Sequence, residues 1–340
     1  MQSTVLVTGG AGYIGSHTCL ELVAAGYEVV IADNLANSRR SVLSRLERLD
    51  GRDFPFYEGD VRDELFLRTL FAERRIDAVI HFAGLKAVGE SVEQPLLYYD
   101  NNVAGTVTLL RVMAEHAVRR IVFSSSATVY GDTSALPIVE ESDLNPTNPY
   151  GRTKLVIEQV LSDLVRSQVG WKAVLLRYFN PAGAHASGIL GEDPNGIPNN
   201  LMPYVSQVAA GKLRELAVFG NDYPTPDGTG VRDYVHVTDL ALGHVAALRA
   251  IDDIEPLSIF NLGTGRGYSV LELVAAFERA TGVKVPFRIA PRRLGDVAAS
   301  YADPRRALEL LGWKAERDLE VMSRDAWRWQ QWCALHAAEL

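Results

Sequence analysis

Residues 8–15 read Thr8-Gly9-Gly10-Ala11-Gly12-Tyr13-Ile14-Gly15, and this stretch decides the fold. Val5-Leu6-Val7-Thr8 before it is a short unbroken apolar run, the mark of a strand covered on both faces of a parallel sheet. A helical pattern follows from Ile14 to about Ala25, and Gly26 stops it. Glu28-Val29-Val30-Ile31-Ala32-Asp33 is a second strand, which makes a β-α-β unit. Gly9, Gly12 and Gly15 sit between strand and helix. Glycine there permits a tight turn, close backbone approach to a diphosphate, and packing of helix on strand. Free N–H groups and the dipole at the helix N-terminus favour that anion. Glycine triplets also occur in ordinary turns, but this one has Asp33 at the end of the next strand. A carboxylate at that point accepts hydrogen bonds from ribose hydroxyls and repels a 2′-phosphate, so the expected cofactor is NAD.

Working outward, the alternation continues. Helices are expected over Ser41–Leu49, Asp63–Glu73, Leu96–His116 and Gly151–Arg166, with strands at Phe54–Glu58, Ala78–Phe82, Arg120–Ser124 and Lys172–Arg177. The fold class is therefore α/β: a Rossmann-type doubly wound parallel sheet with a smaller α/β domain. After Asn180 the texture changes, and residues 181–200 and 220–230 are rich in Gly, Pro, Asn and Asp, as ligand-holding loops are. Ile259–Leu262 looks like one more sheet strand. The division is 1–180 for the dinucleotide-binding domain, with a return around 232–262, and 181–231 with 263–340 for the substrate-binding domain. Asp60-Val61 and Phe82-Ala83-Gly84, each after a strand, would flank the two ends of the dinucleotide.

Bulk properties narrow the function. The 340 residues are 47% hydrophobic and 22% charged, which is ordinary for a folded enzyme. A net charge of −8 without a basic run argues against nucleic acid as a partner. No apolar run approaches a membrane span, and nothing resembles a signal peptide, so a cytoplasmic location is expected. Cys19 and Cys333 read as inert thiols, and no Cys/His pair has metal-ligand spacing.

Tyr150 and Lys154 are four residues apart at the start of a helical stretch, hence on one face. A free tyrosine titrates near about 10 and is a poor base at neutral pH. A nearby ammonium and a positive nicotinamide ring would favour its phenolate. Ser126 follows a strand end and can bond the same substrate hydroxyl.

With these residues the chain resembles the short-chain dehydrogenase/reductase superfamily, in the extended branch that acts on nucleotide sugars. The resemblance is closest to the family of UDP-glucose 4-epimerases. It runs through Thr8–Ser16, His81–Ser91, Phe123–Gly131, Leu176–Gly183 and Gly230–His236. It implies an NAD-dependent isomerase that inverts C4 of a UDP-hexose in galactose metabolism through a 4-keto sugar, with Ser126, Tyr150 and Lys154 as catalytic residues. Tyr13, Ile14, Asn34, Asn37, Ser38, Lys86, Asn101 and Phe179 occupy the family's NAD-contact positions. Asn180, Asn200, Leu201 and Ala217-Val218-Phe219 would hold the UDP half, with Lys86 also beside the substrate. Arg232 and Arg293 would neutralise the diphosphate, a task that suits arginine's fork. Asp296 would accept from the ribose. Arg292 adjoins Arg293 and is the other candidate. In this family the residue four places after the aspartate borders the sugar pocket, and a small residue there goes with acceptance of 2-acetamido sugars. Here it is Ser300, which implies action on UDP-N-acetylglucosamine as well. The family also pairs helices in a symmetric homodimer, a role expected of residues 95–116.

Simpler readings apply elsewhere. His17 and His81 read as packed residues, Trp327, Trp329 and Trp332 as core, and Arg39-Arg40 and Arg74-Arg75 as solvated faces. A related 4,6-dehydratase would need an acidic pair after the strand-end serine, where this chain has Ala127-Thr128-Val129. A non-catalytic dinucleotide sensor is the rival from another class, but such proteins often lose the tyrosine or lysine that this chain keeps.

Overall fold

In the computed structural model the described residues are 3–133, 135–193, 198, 200–293 and 296–337. The first half alternates as expected: β1 (Thr4–Thr8), α1 (Tyr13–Ala24), β2 (Glu28–Asp33), α2 (Ser41–Asp50), β3 (Phe56–Glu58), α3 (Glu64–Glu73) and β4 (Ala78–His81). A broken helical segment follows, with α4 (Val88–Glu93), α5 (Pro95–Tyr98), a wide π turn over Tyr99–Ala104, and α6 (Gly105–Glu115). Then come β5 (Arg120–Ser126), α7 (Pro149–Ser167), β6 (Lys172–Tyr178) and β7 (Asn180–Ala182). The rest is α8 (Leu201–Ala209), β8 (Leu216–Phe219), β9 (Val231–Arg232), β10 (Tyr234–His236), α9 (Val237–Ala250), β11 (Leu257–Leu262) and β12 (Tyr268–Ser269). Last are α10 (Val270–Thr281), β13 (Phe287–Ala290), β14 (Ala299–Ser300), α11 (Arg305–Leu311) and α12 (Leu319–Leu335).

The main sheet has seven strands in the order β11-β6-β5-β4-β1-β2-β3, and its pairings are parallel throughout. Helices cover both faces. One apolar cluster joins Val5, Val7 and Ile31 of the sheet to Leu22 of α1 and Leu240 and Val245 of α9. The opposite face joins Leu6 and Val79 to Leu67, Leu70, Leu109, Ile157 and Leu161. A third cluster lies apart from the sheet, built from Met202 and Val205, Leu216 and Val218, Leu273 and Phe277, and Met322. Full burial of such a side chain stabilises the fold by about 1.5–3 kcal/mol before chain entropy is set against it.

Chain order runs from β1 to β2 and β3 on one side, and from β4 to β5, β6 and β11 on the other. The direction reverses between β1 and β4, and a crevice opens there at the carboxyl ends of the strands. The single helix expected over Leu96–His116 is instead divided. Pro95 opens one piece at its first turn, and the π turn widens the backbone at Tyr99–Ala104. That turn aims Asn102 into the protein, where it contacts the loop after β4.

Candidate active site

The glycine turn follows from steric need. Gly9 adopts φ of +70°, and a Cβ on it would lie 2.7 Å from the Ala83 nitrogen, so the loops after β1 and β4 touch at the crevice. A Cβ on Gly15 would lie 2.3 Å from the Gly9 carbonyl oxygen. Neither position tolerates a side chain. Helix α1 begins at Gly12 with no side-chain cap and no acidic residue in its first turn. Its N-terminal donors therefore face the crevice with a positive dipole end, a cradle that fits a diphosphate. Asp33 closes the far side, and Ala11 N donates to its Oδ2 at 3.0 Å, while Leu35 N and Ser38 Oγ donate to Oδ1 at 2.9 and 2.8 Å. Burial raises its carboxyl from the usual range, and these three donors pull it back.

The loop after β4 is held from behind by Asn102. Its Oδ1 accepts from Leu85 N at 2.8 Å, and its Nδ2 donates to the Leu85 carbonyl and to Thr153 Oγ1 at 3.0 and 3.1 Å. This buried asparagine ties the Gly84–Leu85 turn to α7, and the sequence reading missed it. The only signal was a polar residue inside an apolar helical pattern. His81 bridges Thr8 Oγ1 and Thr106 Oγ1 at 2.7 and 2.9 Å, and burial beside Lys154 lowers it to about 3, so it is neutral and structural. His17 is likewise lowered to about 3 by burial.

Helix α7 starts at Asn148, whose Oδ1 accepts from Gly151 N at 2.8 Å, with Pro149 in the first turn. That cap sets Tyr150 at the rim and Lys154 one turn inside. Lys154 Nζ donates to the Ser124 carbonyl at 2.7 Å and lies 5.9 Å from the Tyr150 ring centre. Ser126, at the end of β5, accepts from Thr128 N at 3.2 Å, and its hydroxyl favours the ionised form of the Tyr150 phenol. Burial lowers Lys154 to about 8, while Glu158, a further turn along, raises it. Glu158 is itself fixed by Arg177, whose Nε and Nη2 donate to it at 3.0 and 2.6 Å in a buried pair. Sequence reasoning missed this support, although Glu158 continues the four-residue spacing.

Lys154 and a nicotinamide ring together are expected to favour the Tyr150 phenolate; in the chain by itself the phenol is raised, because burial outweighs the contribution of Ser126. The Lys154 ammonium is engaged by the Ser124 carbonyl, 5.9 Å from the Tyr150 ring centre.

These groups share one cleft of about 870 Å³. The glycine turn, Tyr13, Ile14, Asp33, Asn34, Asn37, Ser38 and Val61 line one end of it. Phe82, Ala83, Gly84, Lys86, Asn101, Ser126, Tyr150, Lys154 and Phe179 line its middle. Asn180, Asn200, Leu201, Ala217, Val218, Phe219, Arg232, Arg293, Asp296 and Ser300 line the other end. Asp60 is the exception among the expected residues. Its carboxylate is drawn away by Arg62 Nε and Nη2 at 3.0 and 2.8 Å and by Asn34 Nδ2 at 2.9 Å, so only its neighbours Gly59 and Val61 reach the cleft. Those contacts hold its pKa at about 2.

The two adjacent arginines separate. Arg292 binds Asp222 at 2.7 Å and lies 4.0 Å over the Tyr223 ring, whereas Arg293 lines the cleft 4.5 Å over Phe219, with Asp296 at 3.1 Å. Ser300 faces the cleft, while the Tyr301 ring turns to Gly267. Arg39 is not simply solvated, because it reaches Asp193 at 2.8 Å across the cleft mouth. The indoles of Trp329 and Trp332 stack 5.4 Å apart under Arg45, and Trp327 packs on Phe277. Both cysteines are buried, and burial pushes the Cys333 thiol to about 12.

Known proteins share this arrangement. The model of the NAD dependent epimerase/dehydratase family matches residues 5–263. The UDP-glucose 4-epimerase of Bacillus subtilis (strain 168) is 60% identical over 326 residues, which is 96% of each chain. A crystal structure of UDP-glucose-4-epimerase from Stenotrophomonas maltophila, with bound NAD and formylated UDP-arabinopyranose, is 54% identical. It superposes with a TM-score of 0.96 over 99% of this chain and 100% of that one. The UDP-Glc/GlcNAc 4-epimerase of Campylobacter jejuni is 37% identical, with a TM-score of 0.85 over 97% and 100% of the two chains. With near full-length identity of this order and the cleft just described, the chain belongs to the NAD dependent epimerase/dehydratase family and, within it, to the UDP-glucose 4-epimerases.

Proposed function

We propose that the protein interconverts UDP-glucose and UDP-galactose at C4, with NAD⁺ held in the glycine cradle throughout. The observation that carries this is the meeting of Ser126, Tyr150 and Lys154 in the same cleft as the cradle at one end and Arg232 and Arg293 at the other. NAD⁺, when bound, would supply a hydride acceptor and donor for C4 and a positive charge that favours the phenolate. The chain's residues do the rest. Tyr150 Oη takes the proton of the sugar 4-hydroxyl, and Ser126 bonds the same oxygen. Lys154, held charged by Glu158, favours the phenolate. The 4-keto sugar turns over while the UDP half stays clamped by Arg232, Arg293 and Asp296, so that hydrogen returns to the opposite face of C4 and the Tyr150 phenol gives its proton back to O4. Residues 181–231 and 263–340 form the UDP-sugar domain in this reading.

Replacing Tyr150 with Phe tests it. Turnover of UDP-galactose should fall at least about a thousandfold while the protein still binds NAD. Unchanged turnover would remove Tyr150 as the acid–base group, and a phenotype that survives the change would favour the sensor.

A second substrate pair is favoured by one observation. Ser300 lines the sugar end of the cleft, and the Tyr301 ring points elsewhere, so room remains for a 2-acetamido group. UDP-N-acetylglucosamine and UDP-N-acetylgalactosamine are therefore proposed as substrates. The partner is a second copy of the chain. Leu96 and Leu97 are 83% and 37% exposed on α5, in the region where the family pairs helices. Sedimentation at micromolar concentration should give twice the chain mass. No helix among the described residues is long and apolar enough to cross a membrane, which is compatible with the proposed cytoplasmic location.

A further inference from the structure

One short segment, Gly191-Glu192-Asp193, lies across the cleft mouth. Gly191, Glu192 and Asp193 line the cleft together with Asn37, Ser38 and Arg39. Trp329 of α12 fixes this tripeptide from behind. A Cβ on Gly191 would lie 2.5 Å from the indole Cδ1 and Cγ, so only glycine lets the backbone lie flat on that ring. The indole N–H then donates to the Glu192 carbonyl oxygen at 3.0 Å.

From this anchor two carboxylates reach outward in different directions. Glu192 Oε1 accepts from Lys86 Nζ at 2.9 Å and from Asn200 Nδ2 at 2.8 Å. Asp193 Oδ2 stands 2.8 Å from Arg39 Nε. Lys86 follows β4 and Arg39 precedes α2, so both cations come from loops at the carboxyl ends of the main sheet. A neutral tie runs parallel to these pairs, where Tyr13 Oη donates to the Gly183 carbonyl at 2.7 Å. Behind them Arg45 of α2 lies 5.3 Å over Trp329, which adds a cation–π contact on the same side.

The charge pattern says what the segment does. A group meant to hold a diphosphate would be a cation, and two carboxylates at the same mouth repel one. Their charges are met instead by Arg39 and Lys86, so the segment acts on the opposite side of the groove and not on the phosphates. We propose that Glu192 and Asp193 are positioning residues that clasp the segment over bound dinucleotide, so that both ion pairs must open before the cofactor leaves. This rests on NAD being the resident cofactor. It gives that reading a physical basis for retention, because a reaction that takes up and returns hydrogen at one carbon needs its cofactor through both halves.

The test uses the holoenzyme and three variants, Asp193→Asn, Arg39→Gln and the charge-swapped double variant R39D/D193R. Each is loaded with NAD⁺, desalted, and mixed with an NAD-hydrolysing enzyme that destroys released cofactor, and the bound dinucleotide is followed with time. The single variants should lose it about three- to tenfold faster than the parent, and the double variant should recover most of the difference. Loss rates indistinguishable from the parent overturn the clasp. So does a double variant no slower than the singles, which would assign the effect to lost packing. A parent protein that neither carries nor takes up NAD⁺ would instead overturn the cofactor reading, a distinct result.

Discussion

Lys154 Nζ donates to the Ser124 carbonyl at 2.7 Å and stands 5.9 Å from the ring centre of Tyr150. The helix aligns the two side chains, but the ammonium is anchored to the sheet and makes no hydrogen bond to the phenol, so any effect on it must pass through the field. Lys154→Met should therefore leave Tyr150 in place and deprive it of the charge that favours phenolate. Initial rates with UDP-galactose should fall by about 10²–10³ at pH 7, in the range of a lost acid–base contribution. The loss should shrink as pH rises toward the phenol's own titration.

The same charge is a burden on the fold. Burial lowers Lys154 from the ordinary 10.5 to about 8. Between those values the folded chain binds fewer protons than the unfolded one, so stability rises with pH in that window. Below about 8 the full cost is present. Cofactor-free K154M should then be about 1–3 kcal/mol more stable than the parent at pH 7, an advantage that fades from pH 8 to 10.5. Urea unfolding at several pH values measures it. A variant less stable than the parent at pH 7 would show that the Ser124 hydrogen bond outweighs the buried charge.

Gly15→Ala places a methyl 2.3 Å from the Gly9 carbonyl oxygen, a backbone atom that cannot swing aside. The turn and the first turn of α1 must shift. Melting of the cofactor-free protein should reveal about 1–3 kcal/mol of lost stability, and no dinucleotide should co-purify.

Ser300→Tyr fills the sugar end of the cleft. Turnover of UDP-N-acetylgalactosamine should drop by at least about tenfold, far more than that of UDP-galactose, because an overpacked pocket costs 1–3 kcal/mol for the bulkier ligand. Equal losses on both substrates would detach Ser300 from the choice of sugar.

Much of this was legible in the sequence where backbone geometry dictates residue type. Gly9, Gly12, Gly15 and Asp33 answer to one turn and one strand end, and Tyr150 with Lys154 to a single helical turn. The division of residues 95–116 was not legible, because the apolar spacing is continuous across Tyr99–Ala104 and only tertiary contacts of Asn102 reveal the π turn. Asp60 sits in the right loop, yet its carboxylate is taken up by Arg62 and Asn34. Glu192 and Asp193 lie in a loop without periodicity, and their partners Lys86 and Arg39 are distant in sequence.

Epimerisation at C4 with captive NAD⁺ is open to direct measurement. Purified protein, with no cofactor added, is incubated with UDP-galactose and the products are separated by chromatography. UDP-galactose should convert to UDP-glucose until the two sugars reach a constant ratio. No UDP-glucose formed, even after NAD⁺ is supplied, would contradict it.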